Sequence, residues 1–525
     1  MSATGPDDRG FSGWQLIDNA KPVPNPNVPP PLYAPPRHPR GPADLPDIQG
    51  IEGAKFKRGD DVELAMILHN RYFGKYVVSV GGELWQYDPD RRGWWRIPPE
   101  TAMTWVARVA GGCILAGFNR KGEPKLRPIA ISASKAAGAV RLAVARCHHA
   151  EEGGDYWAGE LRGYHRGIAQ FQDRAVIVTQ SGPGTLKVSV EDPKPEHRVR
   201  ALRVMPCRWL GMPALDDLQA VCPVLWGIHM DWWGHHGEEE ARARLMAILE
   251  FVGASMLGYA TVMAKAVLLL GEGGTGKSTM IDLMTRWCQP SAVSSVTPQE
   301  MGTNRFAPAR MDGVVLNVVD DIPHEPILDA GVWKSAITGG RIDVERKGRD
   351  GHGIYPRAGH LYAGNRLPPV VKANDGFWRR WLVIEYDRVF SGTTKDRPVM
   401  FELMGEMDRI IAFAIAAFVD TGGHGGRGYT TPMCHRVAMG EWSDVSDSVG
   451  AFSRECLQVV DPDVPKVNWA KRSTVYKEYR DWCEEGGRRA VSAHEWGSRM
   501  RSMGFEVVQS RGSWRVGCAH QPIEV

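Results

Sequence analysis

Residues 267–280 read Val-Leu-Leu-Leu-Gly-Glu-Gly-Gly-Thr-Gly-Lys-Ser-Thr-Met: an apolar run, a glycine-rich loop and a helix start. Gly271 and Gly276, separated by four residues and followed by Lys277 and Ser278, satisfy the phosphate-loop pattern in full. The residue types suit one chemistry. Gly271, Gly273, Gly274 and Gly276 let backbone N–H groups turn inward on phosphate oxygens without a Cβ in the way. Lys277 has the reach for the β- and γ-phosphates of ATP, and the Ser278 hydroxyl suits a place on Mg²⁺. A helix from Thr279 through Trp287 points its N-terminus at the anion, where the dipole is favourable. A mere glycine-rich turn would not need strand, loop, Lys-Ser and helix to coincide.

Hydrolysis needs carboxylates beside that loop. Gly313 to Asp321 is Gly-Val-Val-Leu-Asn-Val-Val-Asp-Asp, which predicts a buried parallel strand ending in two acids. One of them, assigned as Asp320, would join Ser278 in the Mg²⁺ shell while the other polarises water, and which acid activates water stays open. A third strand, Gly359 to Gly364, delivers Asn365, whose amide both donates and accepts and so suits orienting the lytic water. Downstream, Arg379 and Arg380 sit among Phe377, Trp378 and Trp381. Such a pair suits a solvated face, a cation–π stack, or arginine fingers acting on a neighbouring subunit's γ-phosphate.

These motifs stand in order with Trp-Lys-Ser-Ala-Ile-Thr-Gly-Gly (Trp333 to Gly340), Gly-Asn-Arg-Leu-Pro and Asp-Gly-Phe-Trp-Arg-Arg. Together they resemble the superfamily 3 helicase core of phage, plasmid and poxvirus primase–helicases, over residues 200–525. The resemblance implies an α/β fold: an AAA+-type P-loop ATPase, commonly a hexameric ring, that translocates 3′→5′ on single-stranded DNA. It implies phosphate and Mg²⁺ ligands at Lys277 and Ser278, a sensor at Asn365 and a trans-acting arginine motif at Arg379 and Arg380. Two departures stand out. The family usually ends its acidic strand with Glu, where this chain has Asp320-Asp321, and it often writes Gly-Asp where this chain has Gly340-Arg341.

DNA contacts are expected in two places. Arg346, Lys347 and Arg349, interleaved with glycines, form a basic hairpin-like tip, where the resembled family has a channel-lining loop. Cations on such a tip suit sequence-independent phosphate contact, though a solvated turn has the same composition. Near the C-terminus, Lys471 to Cys483 and a helix opened by Ser492 precede two short strands. Helix, helix and wing resemble a winged-helix tail carrying Arg499 and Arg501. From Lys466 onward eleven Lys/Arg face seven Asp/Glu, an excess that suits fork DNA or a protein partner.

The elements that must position these residues divide the chain. Residues 1–50 form a Pro-rich disordered leader, with eleven prolines between Pro22 and Pro46. Residues 51–200 read as an α+β domain of unknown role, 201–262 as helical, 263–395 as the ATPase core, 396–450 as a helical lid and 464–525 as the winged helix. Asp88 and Asp90 flank a proline and read as a hairpin turn rather than a metal pair. Trp85, Trp94 and Trp95 suit a core or base stacking. No convincing carboxylate–histidine cluster of a primase stands in residues 51–200, which reads as a primase domain lost, reduced or encoded elsewhere, a separate primase or polymerase then being one partner to expect.

Bulk composition excludes little but orders the rest. A net charge of +3 is too small to mark the whole chain as a nucleic-acid binder. Nine dispersed cysteines without a Cys-x-x-Cys pair suit reduced thiols in a cytoplasmic protein. His148-His149 and His235-His236 have no partner ligand at metal spacing. No apolar run reaches a membrane span or opens a signal peptide, so a host-cell cytoplasm is expected. Two functions remain: an ATP-driven replicative DNA helicase, and an ATP-binding initiator or loader that acts as an assembly switch. A small-molecule kinase would leave Asn365, the arginine pair and the basic tail without a role.

Overall fold

The computed structural model describes residues 166–520 apart from 347–348, 371–373, 391–398, 461–463, 487–489 and 511. Before that it describes residues 16–18, 55–56, 60–68, 77–80, 83–90, 92–107, 113–121, 124–128, 130–149 and 157. Its centre is a five-stranded, wholly parallel sheet: β1 (Ala266–Leu270), β2 (Val293–Ser294), β3 (Leu316–Val319), β4 (Gly359–Gly364) and β5 (Trp381–Glu385). The spatial order is β2-β3-β4-β1-β5. The chain is thus mixed α/β with a parallel sheet.

These strands are continuous apolar runs because both sheet faces are covered. Val267 and Leu269 of β1 point into one apolar cluster, shared with Leu361, Leu382 and the helices α1 (Glu238–Leu257) and α2 (Lys277–Arg286). Ala266 and Leu268 point into a second cluster with Tyr362, Val383 and four tryptophan or phenylalanine rings. There Trp381 stacks on Trp333 at 4.7 Å and meets Trp442 at 4.9 Å. Three acids, Glu238, Glu239 and Glu240, open α1 and suit its positive N-terminal end. Helix α3 (Met407–Asp420) buries an almost unbroken apolar stretch against α1.

Flanking regions depart from the expected boundaries. Leu16–Asp18, inside the expected leader, pairs in parallel with Val188–Val190, since the apolar Leu-Ile lies upstream of the proline-rich stretch. The remaining leader positions lie outside the described residues. The described residues of the block 51–200 divide among several apolar clusters. Helices Asp61–Ile67, Pro99–Ala107 and Ala133–Arg146 share a core of their own. The antiparallel strands Arg166–Gln170, Ala175–Gly182 and Thr185–Glu191 instead bury Phe171, Val176 and Val188 in the cluster that holds α1. The Asp88–Asp90 segment is a hairpin turn, with Asp90 N–H donating to Asp88 Oδ1 at 2.9 Å. Trp85 and Trp94 are buried against Trp157, which leaves them no face for a base.

The C-terminal module contains helices Arg472–Glu485 and Ala493–Ser502, followed by the hairpin Val507–Ser510 and Ser513–Val516. Its core also takes in Val449, Phe452 and Leu457, so its packing begins upstream of Val464. Among the described residues no helix is long and apolar enough to cross a membrane.

Candidate functional site

At the carboxyl edge of the sheet, β1 ends at Leu270 and the glycine loop runs into α2, which begins at Lys277. Gly271 N–H donates to Gly364 O of β4 at 3.1 Å, tying the loop to the neighbouring strand. Two glycines are required by space. A Cβ on Gly271 would lie 2.0 Å from Tyr386 O, and one on Gly276 would lie 2.2 Å from Trp232 Nε1. Gly276 also has φ +97°, a left-handed value that favours glycine. Lys277 is folded back over the loop, its Nζ donating to Gly271 O and Glu272 O at 2.6 Å each. It also reaches Asn365 Oδ1 at 3.4 Å. Burial pushes the Lys277 ammonium below its ordinary pKa, and the charge of Asp321 opposes that shift.

A cavity of about 720 Å³ opens here. Its wall carries Gly273, Gly274, Gly276, Lys277, Ser278 and Thr279 together with Asp320, Asp321 and Asn365. Asp320 and Asp321 follow β3, and Asn365 follows β4. Because β4 lies between β1 and β3, its end sits between the lysine and the acids, at the strand-order switch where open α/β sheets form their ligand crevices. Partial burial raises the Asp320 carboxyl above its ordinary range, and the like charge of Asp282 adds to the rise. Ser278, Asp282 and Asp320 are hard oxygen donors, a set that suits Mg²⁺.

Below the acids lies a polar network inside the sheet. Asn317 Oδ1 accepts from Val296 N–H at 2.8 Å and from Ser294 Oγ at 3.0 Å, while its Nδ2 donates to Val296 O at 2.8 Å. The Asn317 amide also meets His360 Nδ1 at 3.3 Å, and Tyr362 OH accepts from Trp333 Nε1 at 3.2 Å. These bonds pin β2, β3 and β4 in register, which fixes where Asp320 and Asn365 emerge.

Several wall residues carried no expectation. Asp282 lies one turn beyond Ser278 on α2, and that i, i+4 spacing was a readable signal. Asp231 and Trp232 come from the helix Pro223–Trp233, and Phe390, Val399, Met400 and Phe401 from beyond β5. Nothing local in those segments marks them. Phe401 is 83% exposed at the cavity wall.

Arg379 and Arg380 stand elsewhere. Arg380 O accepts from Ala266 N–H at 2.7 Å, so the pair lies at the amino ends of β1 and β5. A five-residue strand separates them from the loop, roughly 16 Å at the usual rise. Arg379 is exposed, whereas Arg380 turns its Nη1 back onto Gly376 O. Burial, and then the neighbouring Arg379, lower the Arg380 pKa.

The basic residues expected to meet DNA lie in two separate places. Ile342–Arg346 and Arg349–Ile354 form an antiparallel hairpin in which Arg346 pairs with Arg349. Lys347, between them, lies outside the described residues. In the C-terminal module Arg499 is bound to Asp447 at 3.3 Å and to Glu495 at 2.7 Å, so its charge is locally offset; Arg501 is exposed. His235 and His236 do have a partner: both contact Asp387, a residue too distant in sequence for spacing to reveal.

Comparison with known proteins adds a little. Residues 269–380 match a family of unknown function (DUF5906), a span from the end of β1 to Arg380. No curated protein matches the chain. Two apo structures of the NrS-1 C terminal region align over most of its length. One has a TM-score of 0.42 at 11% identity, covering 88% of this chain and 99% of that one. The other has a TM-score of 0.38 at 12% identity, covering 87% and 98%.

Proposed function

We propose that the chain is an ATP-dependent DNA helicase of a phage, prophage or plasmid replication system, built on an AAA+-type P-loop core with a winged-helix tail. One observation carries the reading: Lys277, Ser278, Asp320, Asp321 and Asn365 line one cavity at the carboxyl edge of a parallel sheet, against a glycine loop with no room for a side chain at Gly271 or Gly276. The strand order, with β4 between the loop strand and the acidic strand, supports the same reading.

In this mechanism the loop N–H groups and the α2 N-terminus bind the phosphates of ATP. Lys277 leaves the Gly271 and Glu272 carbonyls and turns its ammonium to the β- and γ-phosphates. Ser278 and Asp320, with Asp282 behind them, would hold Mg²⁺, which supplies charge neutralisation at the phosphates when bound. Asp321, whose charge acts on Lys277 while Asp320 is kept for the metal, is the choice for polarising water. Asn365 orients that water. Arg379, exposed at the far end of the sheet, serves the cavity of a neighbouring subunit, as in a head-to-tail ring.

Steady-state ATP hydrolysis with and without single-stranded DNA tests this, together with unwinding of a 3′-tailed fork and native mass. Stimulation by single strands and an oligomer are expected. ATP binding with unstimulated hydrolysis and a preference for one duplex sequence would instead favour the initiator or loader.

A further inference from the structure

A second cluster of chemistry-bearing side chains lies just beyond β5. His235 and His236 close the turn Gly234–His236, and Asp387 follows Tyr386. Asp387 Oδ2 is 3.3 Å from His235 Nε2 and 2.6 Å from His236 Nε2. The imidazole centroids are 4.0 Å apart. The three ligand atoms lie within 4.8 Å of one another, the one such His/Cys/Asp/Glu triad among the described residues.

We propose that His235, His236 and Asp387 bind a divalent transition metal of the zinc class, leaving at least one coordination position to solvent. Zn–N and Zn–O bonds of about 2.0–2.2 Å place tetrahedral ligand atoms roughly 3.3–3.5 Å apart. The His235–Asp387 separation already has that spacing, and His236 needs to open by about 0.7 Å, which a half-exposed side chain absorbs by rotation. Two imidazole nitrogens and one carboxylate favour Zn²⁺, Co²⁺ or Ni²⁺ over Mg²⁺ or Ca²⁺, which prefer oxygen alone.

The surroundings suit a metal-bound carboxylate. Arg244 Nη1 stands 3.8 Å from the other oxygen, Oδ1, as an outer partner that orients the group. Its positive charge is offset by Glu240 at 2.9 Å, and it also donates to Glu385 O.

The position suggests a consequence. The histidines follow the helix whose Asp231 and Trp232 line the cavity. Asp387 lies between Tyr386, packed on Gly271, and Phe390, whose N–H donates to Gly274 O at 3.0 Å. A metal across these segments clamps two walls of the cavity together. That clamp rests on the triphosphate reading; the metal site does not.

The test uses the full chain, stripped with a chelator and titrated with Co²⁺, then Zn²⁺. Expected are a saturable visible band of tetrahedral type, its displacement by Zn²⁺, and a metal-dependent rise in Tm. The double variant His235→Gln/His236→Gln should lose the band and the Tm rise. Should that variant fail to fold, His236→Gln alone should weaken binding at least ~10-fold. Lys277→Ala should keep the band, so a failed nucleotide reading is distinguishable from a failed metal site. An undiminished band in either histidine variant, or no saturable binding, overturns the site. A fluorescent ATP analogue bound equally with and without metal overturns the clamp.

Discussion

The two ends of one five-stranded sheet carry different sets of polar and charged side chains. At the carboxyl end a glycine loop, a lysine, four acids and an asparagine surround one cavity. At the amino end stand two arginines, one exposed and one bonded back to its own helix. Parallel strands make this separation unavoidable: every loop that follows a strand emerges at one edge, and every segment that precedes one enters at the other. A single copy keeps the arginines a strand's length from its own cavity, so under the proposed function they would act on a neighbouring copy.

The sharpest way to break the comparison is Arg379→Ala. Where the arginine acts in trans, hydrolysis falls by ~10³–10⁵ while ATP binding to each subunit persists. Mixing this variant with Lys277→Ala should restore part of the activity, because some interfaces then hold an intact loop and an intact arginine. No rescue would mean that the two ends do not meet between copies. Arg380→Ala should cost less than Arg379→Ala, since its guanidinium is engaged with Gly376 O.

Next in size, Lys277→Ala should lower hydrolysis by ~10²–10³, the usual range for removing one preorganised donor. Its circular dichroism and Tm should hold, since the folded state already strains to bury that ammonium. Activity within a few-fold of the parent would remove the loop from the chemistry.

A smaller effect should come from the hairpin, which belongs to neither end. Arg346→Ala with Arg349→Ala should leave ATP hydrolysis without DNA unchanged. Binding of single strands should weaken, and the salt slope should flatten by ~0.7 per lost phosphate contact. An unchanged slope would reduce the hairpin to a solvated turn.

The weakest lever acts on the sheet as a whole. Burial lowers the pKa of His360 to about 3 and that of His435 to about 4, from an ordinary 6.5. Both stay neutral in the fold; His435 Nδ1 accepts from Val383 N–H at 3.1 Å. Unfolded, each takes a proton below about pH 6.5, so the fold holds its full stability above that value and loses it as pH falls toward 4. Tm measured across that window should drop, and His435→Asn should drop less steeply. Parallel curves would assign the acid loss to other groups.

Much of the cavity was legible from residue order alone. Glycine spacing ahead of Lys-Ser specifies a loop conformation, and unbroken apolar runs specify buried strands, because both are local properties. Strand β4 runs from Gly359 to Gly364, the limits its composition predicts. Only tertiary structure decided which strands are neighbours. The insertion of β4 between β1 and β3 brings Asn365 within 3.4 Å of Lys277, 88 positions away. It likewise set Asp387 against His235 and His236, tied Arg499 to Asp447, and left Arg379 at the opposite edge. Sequence pattern says how each segment meets water. Which distant segments share a wall follows from crossover order and packing, which no local pattern encodes.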